Sequence, residues 1–420
     1  MRHLKIDFSI LLCLALLTAC TPGTPATLPA PTQVDESAVP ATRQPLSPTN
    51  LPDTSSTDFP AATSIALTAV GDTVYMIVGH GHSLYVLRST DGGQTFSEPV
   101  SATGDHTAHV LRVERPAIAA NDRGEVSVSW LELDLSGEDN KVWYASSKNS
   151  GGTFGEPHLV STEPSGETAM VEVILDAEGN PLLSWLGGND LRFSRSSDHG
   201  QTFSTARSIG EGACECCQPD MLVTGDELMI GYRGLGEDQT GKFRDAALIR
   251  SQDEGESFGP VSFATDSRWY IDACPISGPS IAMNENNIYI TWMDGRAVAP
   301  DNLLSSDVWF AVSTDEGETF SSNVKLSDGS STHSFLPVMA VGPNGRIHLA
   351  WQAISADAIY YVTSDDGGKT FSSPQVIADD SSPERGRPTS PTIAIDAQGR
   401  VYLAWLDDSG VQLSVWEDSK

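Results

Sequence analysis

An eight-residue pattern, S-x-D-x-G-x-T-F, recurs six times along the 420-residue chain. Measured between their third positions, the copies lie 49 to 62 residues apart. Those third positions are Asp91, Asn149, Asp198, Asp253, Asp315 and Asp366. A unit that returns at this spacing indicates a repeat fold, in which each copy buries its apolar surface against the next.

Each copy has the chemistry of a tight turn. In the first copy, Ser89–Phe96 (STDGGQTF), the Asp91 carboxylate can accept hydrogen bonds from backbone N–H groups, and Gly93 can adopt positive φ. Thr95 then restarts an extended segment, and Phe96 is expected to point into a core. We therefore predict that all six copies are structural turns.

A second unit lies between these turns. It is a strand, a turn rich in Asn, Asp or Gly, and a second strand, which predicts a β-hairpin. The seven copies are IALTAVGDTVYMIV, AIAANDRGEVSVSW, VILDAEGNPLLSW, MLVTGDELMIGY, SIAMNENNIYITW, VMAVGPNGRIHLAW and TIAIDAQGRVYLAW. Six of them end in an aromatic residue, which indicates packing between units: Trp130, Trp185, Tyr232, Trp292, Trp351 and Trp405. The seventh unit, from about Arg387, ends after its third strand.

Together these repeats resemble the Asp-box, or BNR, repeats of the sialidase-like β-propellers, over nearly all of residues 62–418. The resemblance implies an all-β fold of four-stranded blades, with each Asp-box between the third and fourth strands and away from the ligand face. Seven units predict seven blades over residues 62–420, with six blades as the alternative. A segment within residues 41–60 is expected to supply the strand that the seventh blade lacks, since ring closure removes open sheet edges.

The N-terminus has the pattern of an export signal. Arg2 and Lys5 precede a short apolar stretch, and Leu17-Thr18-Ala19-Cys20 resembles the lipobox of bacterial lipoproteins. Residues 1–19 are thus predicted to be a signal peptide and Cys20 the lipidated residue. Residues 20–61, rich in Pro and Thr, are predicted to be an extended tether. The protein is expected outside the cytoplasm, held on a bacterial membrane by its lipid anchor alone.

The charge of the chain narrows the class of partner. The formal net charge is −31 at pH 7, which repels nucleic acid and anionic lipid head groups. We therefore expect no nucleic-acid partner.

The resemblance also implies where a ligand would bind: the loops that enter each first strand and those that join strands 2 and 3 share one face around the central channel. Enzymes of the family hold a substrate carboxylate with three arginines, and they use a Tyr–Glu nucleophile and an Asp acid/base. Arginine suits this task because its guanidinium binds carboxylates bidentately. The candidates on this face are Arg115, Arg233, Arg296, Arg387, Asp294, Tyr232 and Tyr270. The family's Arg-Ile-Pro motif ahead of the first box is absent here.

Four cysteines remain beyond the signal and the anchor: Cys214, Cys216 and Cys217 in ACECCQP, and Cys274 in IDACPISGP. The repeat places both segments in equivalent loops of consecutive blades, the fourth and fifth, so we expect them to be close in space. Export favours disulfides between the two loops. A copper or zinc site made of several thiolates is the alternative, and no cofactor is assigned.

Three functions are compatible with these patterns. The favoured one is a cell-surface, sialidase-like propeller that binds or hydrolyses a glycan, or binds another small extracellular ligand. Whether it is an enzyme stays open; exo-sialidase-like hydrolysis is the reaction that the resemblance implies. The alternatives are a non-catalytic propeller that binds a protein partner and an envelope protein that handles thiols or metals through its ACECC and ACP loops.

Overall fold

Seven antiparallel sheets, each made of consecutive strands, form the described part of the chain. The structure is a computed structural model that describes residues 62–112, 114–133, 139–163, 168–297, 305–327, 333–381 and 386–418. Six sheets have four strands and the last has three, each in simple sequential order. The predicted signal peptide, the lipidated Cys20 and the tether lie outside the described residues.

The strands follow the repeat units along the chain, one sheet to a blade. Blades 1 to 3 contain β1 Ser64–Val70, β2 Thr73–His80, β3 Ser83–Ser89 and β4 Val100–Ser101; β5 Ala117–Ala120, β6 Val126–Glu132, β7 Asn140–Ser147 and β8 His158–Glu163; β9 Thr168–Leu175, β10 Pro181–Gly187, β11 Asp190–Arg195 and β12 Arg207–Glu211. Blades 4 and 5 contain β13 Asp220–Thr224, β14 Glu227–Glu237, β15 Lys242–Ser251 and β16 Ser262–Phe263; β17 Ser280–Asn284, β18 Asn287–Asp294, β19 Asp307–Ser313 and β20 Val324–Lys325. Blades 6 and 7 contain β21 Ser334–Val341, β22 Ile347–Ala353, β23 Ala358–Ser364 and β24 Gln375–Asp379; β25 Thr389–Ile395, β26 Arg400–Asp407 and β27 Gly410–Glu417.

The second strand of each blade is buried on both faces because its sheet is packed between two neighbouring sheets. All seven residues of β10 are buried, whereas the outer strand β8 is largely exposed. The aromatic residues that end the second strands are buried between adjacent blades, which confirms their predicted packing role. Trp130, for example, packs in one cluster with Tyr75 of blade 1, and Trp185 packs with Tyr144 of blade 2.

The ring closes between blades 1 and 7. The backbone N–H of Leu67 donates to Thr392 Oγ1 over 3.2 Å, and Met76 and Leu413 share one core cluster. The prediction of seven blades is therefore confirmed, and the six-bladed alternative is wrong. Blade 7 has three strands among the described residues, as its sequence predicted. The segment expected to donate a fourth strand lies outside those residues.

The six box turns share one network of hydrogen bonds. In the first, Asp91 Oδ1 accepts from the backbone N–H of Thr95 over 2.9 Å, and Asp91 Oδ2 accepts from the Thr95 hydroxyl over 2.6 Å. The hydrogen bond from the Thr95 hydroxyl is the main reason why the pKa of Asp91 falls to about 2. Asn149 fits the same turn since its amide oxygen accepts from the Thr153 N–H over 2.9 Å.

No helix in the described ranges is long and apolar enough to cross a membrane. The helical element found there is a single 3-10 turn, Ile354–Ala356.

We expect Gly200→Ala to lower the free energy of unfolding by about 2–3 kcal/mol. Gly200, in the third box, has φ +81°, and a Cβ there would overlap the Tyr144 ring of the preceding blade. Positive φ costs alanine about 1 kcal/mol, and overpacking adds about 1–2 kcal/mol. Urea unfolding measures the loss. Gly225→Ala is the control, because φ there is +55° but no atom lies within 4 Å of the added Cβ. Equal losses in both variants would show that backbone strain at positive φ, and not overlap with the Tyr144 ring, is the reason why this position of the box requires glycine.

Candidate functional site

Two sets of loops meet on one face of the propeller, which we call the mouth face. The inter-blade loops, which lead into each first strand, lie at the same end of the antiparallel sheets as the loops between strands 2 and 3. Direct pairing joins the inter-blade loops to this end of the second and third strands and to the loop between them: Ala213 bridges to Gly234, Tyr270 to Phe243, and His333 to Ser306. The box turns lie at the opposite end, so the predicted division between a structural face and a loop-rich face matches the strand order.

Inter-blade loops from several blades surround the mouth of the central channel. The lining side chains combine charged, amide and apolar groups: Arg112, Glu114, Arg115, Gln218, Ile276, Leu336 and Ser390. Below the mouth, the first strands enclose a channel cavity of about 360 Å³, lined by Arg115, Glu172 and Asp220 among other residues. A concave site with a few convergent polar groups in an apolar wall is typical of ligand pockets.

Gln218 ties two blades together across the mouth. Its Oε1 accepts from the backbone N–H of Arg115 over 2.8 Å, and its Nε2 donates to the Arg115 carbonyl over 2.9 Å. The same Nε2 lies 3.3 Å from Glu172 Oε2. The inter-blade loop of blade 4 therefore fixes the backbone of the blade 2 loop, although blade 3 lies between them.

Glu172 is the titratable group most perturbed on the channel wall. It lies on β9, and removal from bulk water raises the pKa of its carboxyl to about 8; the charge of Arg115 opposes that shift and the charge of Asp220 adds to it. Asp220 is itself fixed, because it accepts from the Ser280 hydroxyl and the Ile281 N–H, both over 2.9 Å. At neutral pH the channel therefore holds a protonated carboxyl beside an arginine.

The inter-blade loop of blade 2 contributes the histidines of two histidine–carboxylate pairs. His109 Nδ1 lies 3.3 Å from the buried Glu114 Oε2, and His106 Nδ1 lies 3.5 Å from Glu132 Oε2. The His106 ring also contacts the Trp143 ring, with 3.9 Å between centroids. His109, Glu114 and Arg115 all line one pocket beside the mouth. An imidazole next to a carboxylate is the arrangement from which general acid–base catalysis is built.

The four predicted arginines are not gathered into one site. Arg115 lines the mouth, whereas Arg233 is 1% exposed and donates to the backbone carbonyls of Ser277, Arg244 and Met293 over 2.7–3.0 Å. Arg296 is paired with the buried Asp294, and their closest atoms are 2.7 Å apart. Arg387 lies on the exposed rim and pairs with Asp357. The structure therefore gives no triad of these arginines around one point.

Neither tyrosine is placed as a nucleophile beside those arginines. Tyr232 is buried in the core between blades 3 and 4, and burial raises the pKa of its hydroxyl to about 12. Its other predicted role, as a packing aromatic, is the one that the structure supports. Tyr270 is 42% exposed and donates to Asp238 Oδ2 over 2.9 Å.

The cysteines meet as the repeat predicted. Cys216 and Cys274 form a disulfide between the inter-blade loops of blades 4 and 5, with their Cα atoms 6.4 Å apart. Cys214 and Cys217 are free and buried, and their Sγ atoms are 3.2 Å apart. The favoured prediction of a disulfide between the two loops is thus shown for one pair, Cys216–Cys274. Three of the sulfurs are also close enough together to hold a metal ion.

Sequence reasoning missed the channel residues Gln218, Glu172 and Asp220. Glu172 had a visible signal, because it is the one charged residue in the largely apolar strand TAMVEVIL. Gln218 had none, because its partner Arg115 is about a hundred residues away and belongs to a blade that is not its neighbour. The C-x-x-C spacing of Cys214 and Cys217 within CECC was also overlooked.

The structure has known relatives in fold, whereas no family model and no curated protein matches the sequence. The polysaccharide lyase Uly1 aligns over 86% of this chain and 91% of its own, with a TM-score of 0.55 and 11% identity. A mutant of the α-L-arabinofuranosidase Arb93A from Fusarium graminearum aligns over 85% and 93%, with a TM-score of 0.53 and 12% identity. The NanB sialidase from Streptococcus pneumoniae aligns over 73% and 67%, with a TM-score of 0.49 and 10% identity. In its fold, the chain is a seven-bladed β-propeller, similar to the folds of the polysaccharide lyase and the arabinofuranosidase.

Proposed function

We propose that this propeller binds a glycan that carries carboxylate groups, at the channel mouth on the mouth face. The observation that carries the proposal is the pair Arg112 and Arg115 at that mouth. Most arginines of the described residues are paired with a carboxylate, for example Arg123, Arg296 and Arg400. Within those residues neither Arg112 nor Arg115 has an ion pair, although the net charge of the chain is −31. Two unpaired guanidinium groups at a concave site suit a carboxylate ligand.

The remaining groups at the mouth fit a sugar. Gln218 Oε1 at the mouth and the protonated Glu172 in the channel below it supply an acceptor and a carboxyl for sugar hydroxyl groups. Ile276 and Leu336 supply apolar contact for a pyranose face. The likeness in fold to a polysaccharide lyase and an arabinofuranosidase supports a carbohydrate ligand. Location on the cell surface, through a lipid on Cys20, is part of the same proposal.

We further propose that the protein cleaves the glycan that it binds. His109 and Glu114 lie beside Arg115 and form the pair best placed to move a proton at a bound sugar. This arrangement favours acid–base chemistry on an acidic saccharide over the arginine-triad and tyrosine chemistry of a true sialidase. A fluorogenic sialoside and a uronate-containing polysaccharide, each incubated with the folded protein, would separate the two reactions.

Replacing Arg115 with Ala is expected to weaken glycan binding at least tenfold, because a charge-assisted hydrogen bond to the ligand is lost. The probe is a printed array of sialylated, uronate-containing and neutral oligosaccharides, followed by titration calorimetry on the best binder. Arg123→Ala is the matched control: it removes the same charge from the exposed β5–β6 turn at the opposite end of the same blade. Preference for neutral sugars, or no loss with Arg115→Ala, would contradict the proposal. Absence of any glycan binding would favour a protein partner.

A further inference from the structure

The four cysteines of the inter-blade loops form a continuous chain of sulfur atoms. Cys214 Sγ lies 3.2 Å from Cys217 Sγ and 3.5 Å from Cys216 Sγ, and Cys216 is bonded to Cys274. One disulfide and one dithiol therefore touch, with Cys214 between them. An attacking sulfur must reach a disulfide sulfur for exchange to occur, and Cys214 is already in contact with one.

The surroundings of Cys214 favour a thiolate. Arg244 Nη1 donates to Cys214 Sγ over 2.7 Å, and the buried Arg233 lies nearby. The hydrogen bond from Cys217, followed by the Cys216 N–H and the charges of Arg244 and Arg233, lowers the pKa of Cys214 to about 6, against the effect of burial. Burial raises the pKa of Cys217 well above its usual value. One sulfur of the dithiol is thus a ready nucleophile, and the other keeps its proton.

The two pairs differ in access to solution. Cys214 and Cys217 are 0% exposed, whereas Cys274 is exposed and Cys216 is half-buried. An external thiol or disulfide can therefore reach Cys274 but not the dithiol. The spacing Cys214-x-x-Cys217 is the one found in dithiol–disulfide oxidoreductases, where it accompanies a lowered thiol pKa.

We propose that these cysteines form a thiol–disulfide exchange site, in which the buried pair Cys214/Cys217 supplies two electrons to the exposed pair Cys216/Cys274. The external partner is a disulfide-bearing molecule that reacts at Cys274. This activity is independent of glycan binding, although both use the inter-blade loops of blades 4 and 5.

The internal transfer takes two exchanges. The Cys214 thiolate attacks Cys216 Sγ; the Cys214–Cys216 bond forms, the Cys216–Cys274 bond breaks, and Cys274 leaves as a thiolate that takes a proton from water. Cys217 then loses its proton and attacks Cys214 Sγ. The Cys214–Cys217 bond forms, and Cys216 leaves as a thiolate and takes up a proton. Cys214 and Cys217 are oxidised by the two electrons that reduce Cys216 and Cys274.

The external step restores the exposed disulfide. The Cys274 thiolate attacks one sulfur of the external disulfide, forms a mixed disulfide and releases the first thiol. Cys216 then attacks Cys274 and releases the second thiol. In sum, the buried dithiol becomes a disulfide and the external disulfide becomes two thiols, so bonds, protons and electrons balance.

The test follows the position of the disulfide in the full-length chain. The protein is reduced with dithiothreitol, freed of reductant and mixed with one equivalent of glutathione disulfide as the probe. Samples are alkylated over time, and the bonds are assigned by peptide mass spectrometry, which counts Cys13 and Cys20 separately. We expect Cys216–Cys274 to form first and Cys214–Cys217 to replace it. In Cys214→Ser, the bond should remain at Cys216–Cys274 throughout the time course, because no Cys214–Cys217 disulfide can form.

A second variant keeps the proposal open to refutation if Cys214→Ser fails to fold. In Cys217→Ser the first exchange is still possible, so a Cys214–Cys216 bond should accumulate with Cys274 free. Circular dichroism checks the fold of each variant. Two disulfides that never interchange in the folded wild type, or a bound metal ion that holds all four sulfurs reduced, would overturn the proposal. Loss of the Cys216–Cys274 bond in Cys214→Ser at the rate seen in wild type would do so as well.

Discussion

Replacing Arg233 with Met is expected to lower the free energy of unfolding by about 3–5 kcal/mol, because a buried guanidinium that donates to three backbone carbonyls is lost. The guanidinium donates to Ser277 O through two nitrogens, to Met293 O and to Arg244 O, and Arg233 is 1% exposed. Met fills a similar volume but donates nothing. Three buried acceptors would then lose their partner, at about 1–3 kcal/mol each, partly offset by relief from burying a charge.

Arg387→Met is the matched control for this change. The Arg387 side chain is 67% exposed and makes one ion pair with Asp357, so its loss should change stability by about 0.5 kcal/mol or less. Urea unfolding of both variants gives the comparison. A loss below about 1 kcal/mol for Arg233→Met would mean that water replaces the guanidinium between blades 4 and 5, and that this position is open to a ligand after all.

Glu172→Gln is expected to stabilise the protein at pH 8 relative to wild type, by up to about 4–5 kcal/mol, and to leave stability nearly unchanged at pH 4. The folded pKa of Glu172 is about 8, raised mainly by removal from water, whereas the unfolded value is 4.5. Wild type thus loses stability as pH rises from about 4.5 to about 8, because only the unfolded chain ionises there; one pKa unit is worth about 1.4 kcal/mol. Gln cannot ionise and carries no such penalty.

Thermal unfolding at intervals between pH 4 and pH 9 measures this difference. Glu318→Gln, which removes an exposed carboxylate from a box turn, serves as the control and should follow the wild-type curve. If the curves of Glu172→Gln and wild type stay parallel across the range, Glu172 is ionised in the channel. The channel would then present an Arg115–carboxylate pair to a ligand, in place of a neutral acid.

The repeat was sufficient to predict the ring, the box turns, the buried aromatics and the closeness of the cysteine loops. Each of these depends on contacts within one blade or between consecutive blades, which the spacing of a repeat encodes. The site was less predictable. Gln218 reaches Arg115 past an intervening blade, a contact that depends on the curvature of the whole ring.

Arg233 shows a second reason why site prediction was limited. Arg233 directly follows Tyr232, and every blade has a residue at the equivalent place in its second strand. In blade 4 the second and third strands, β14 and β15, are eleven and ten residues long, longer than the equivalent strands of the other blades. The equivalent residues of blades 2 and 3, Leu131 and Leu186, are also buried inside their second strands, so this position belongs to the sheet and not to a mouth loop. The choice among cysteine pairings likewise depended on side-chain geometry, since spacing alone allows three connectivities.

Chain connectivity enforces six of the seven contacts between blades, and the seventh, between blades 1 and 7, has no covalent link within the described residues. That seam alone carries the entropic cost of bringing distant parts of the chain together, about 5 kcal/mol for a loop of some 350 residues. The contacts across this seam must meet the cost: the Leu67–Thr392 hydrogen bond, the bond from the Ala397 N–H to the Gly71 carbonyl, and the core cluster around Met76 and Leu413. The continuous chain thus reinforces six of the seven contacts between blades. Within the described residues, closure of the ring depends on the non-covalent contacts between blades 1 and 7.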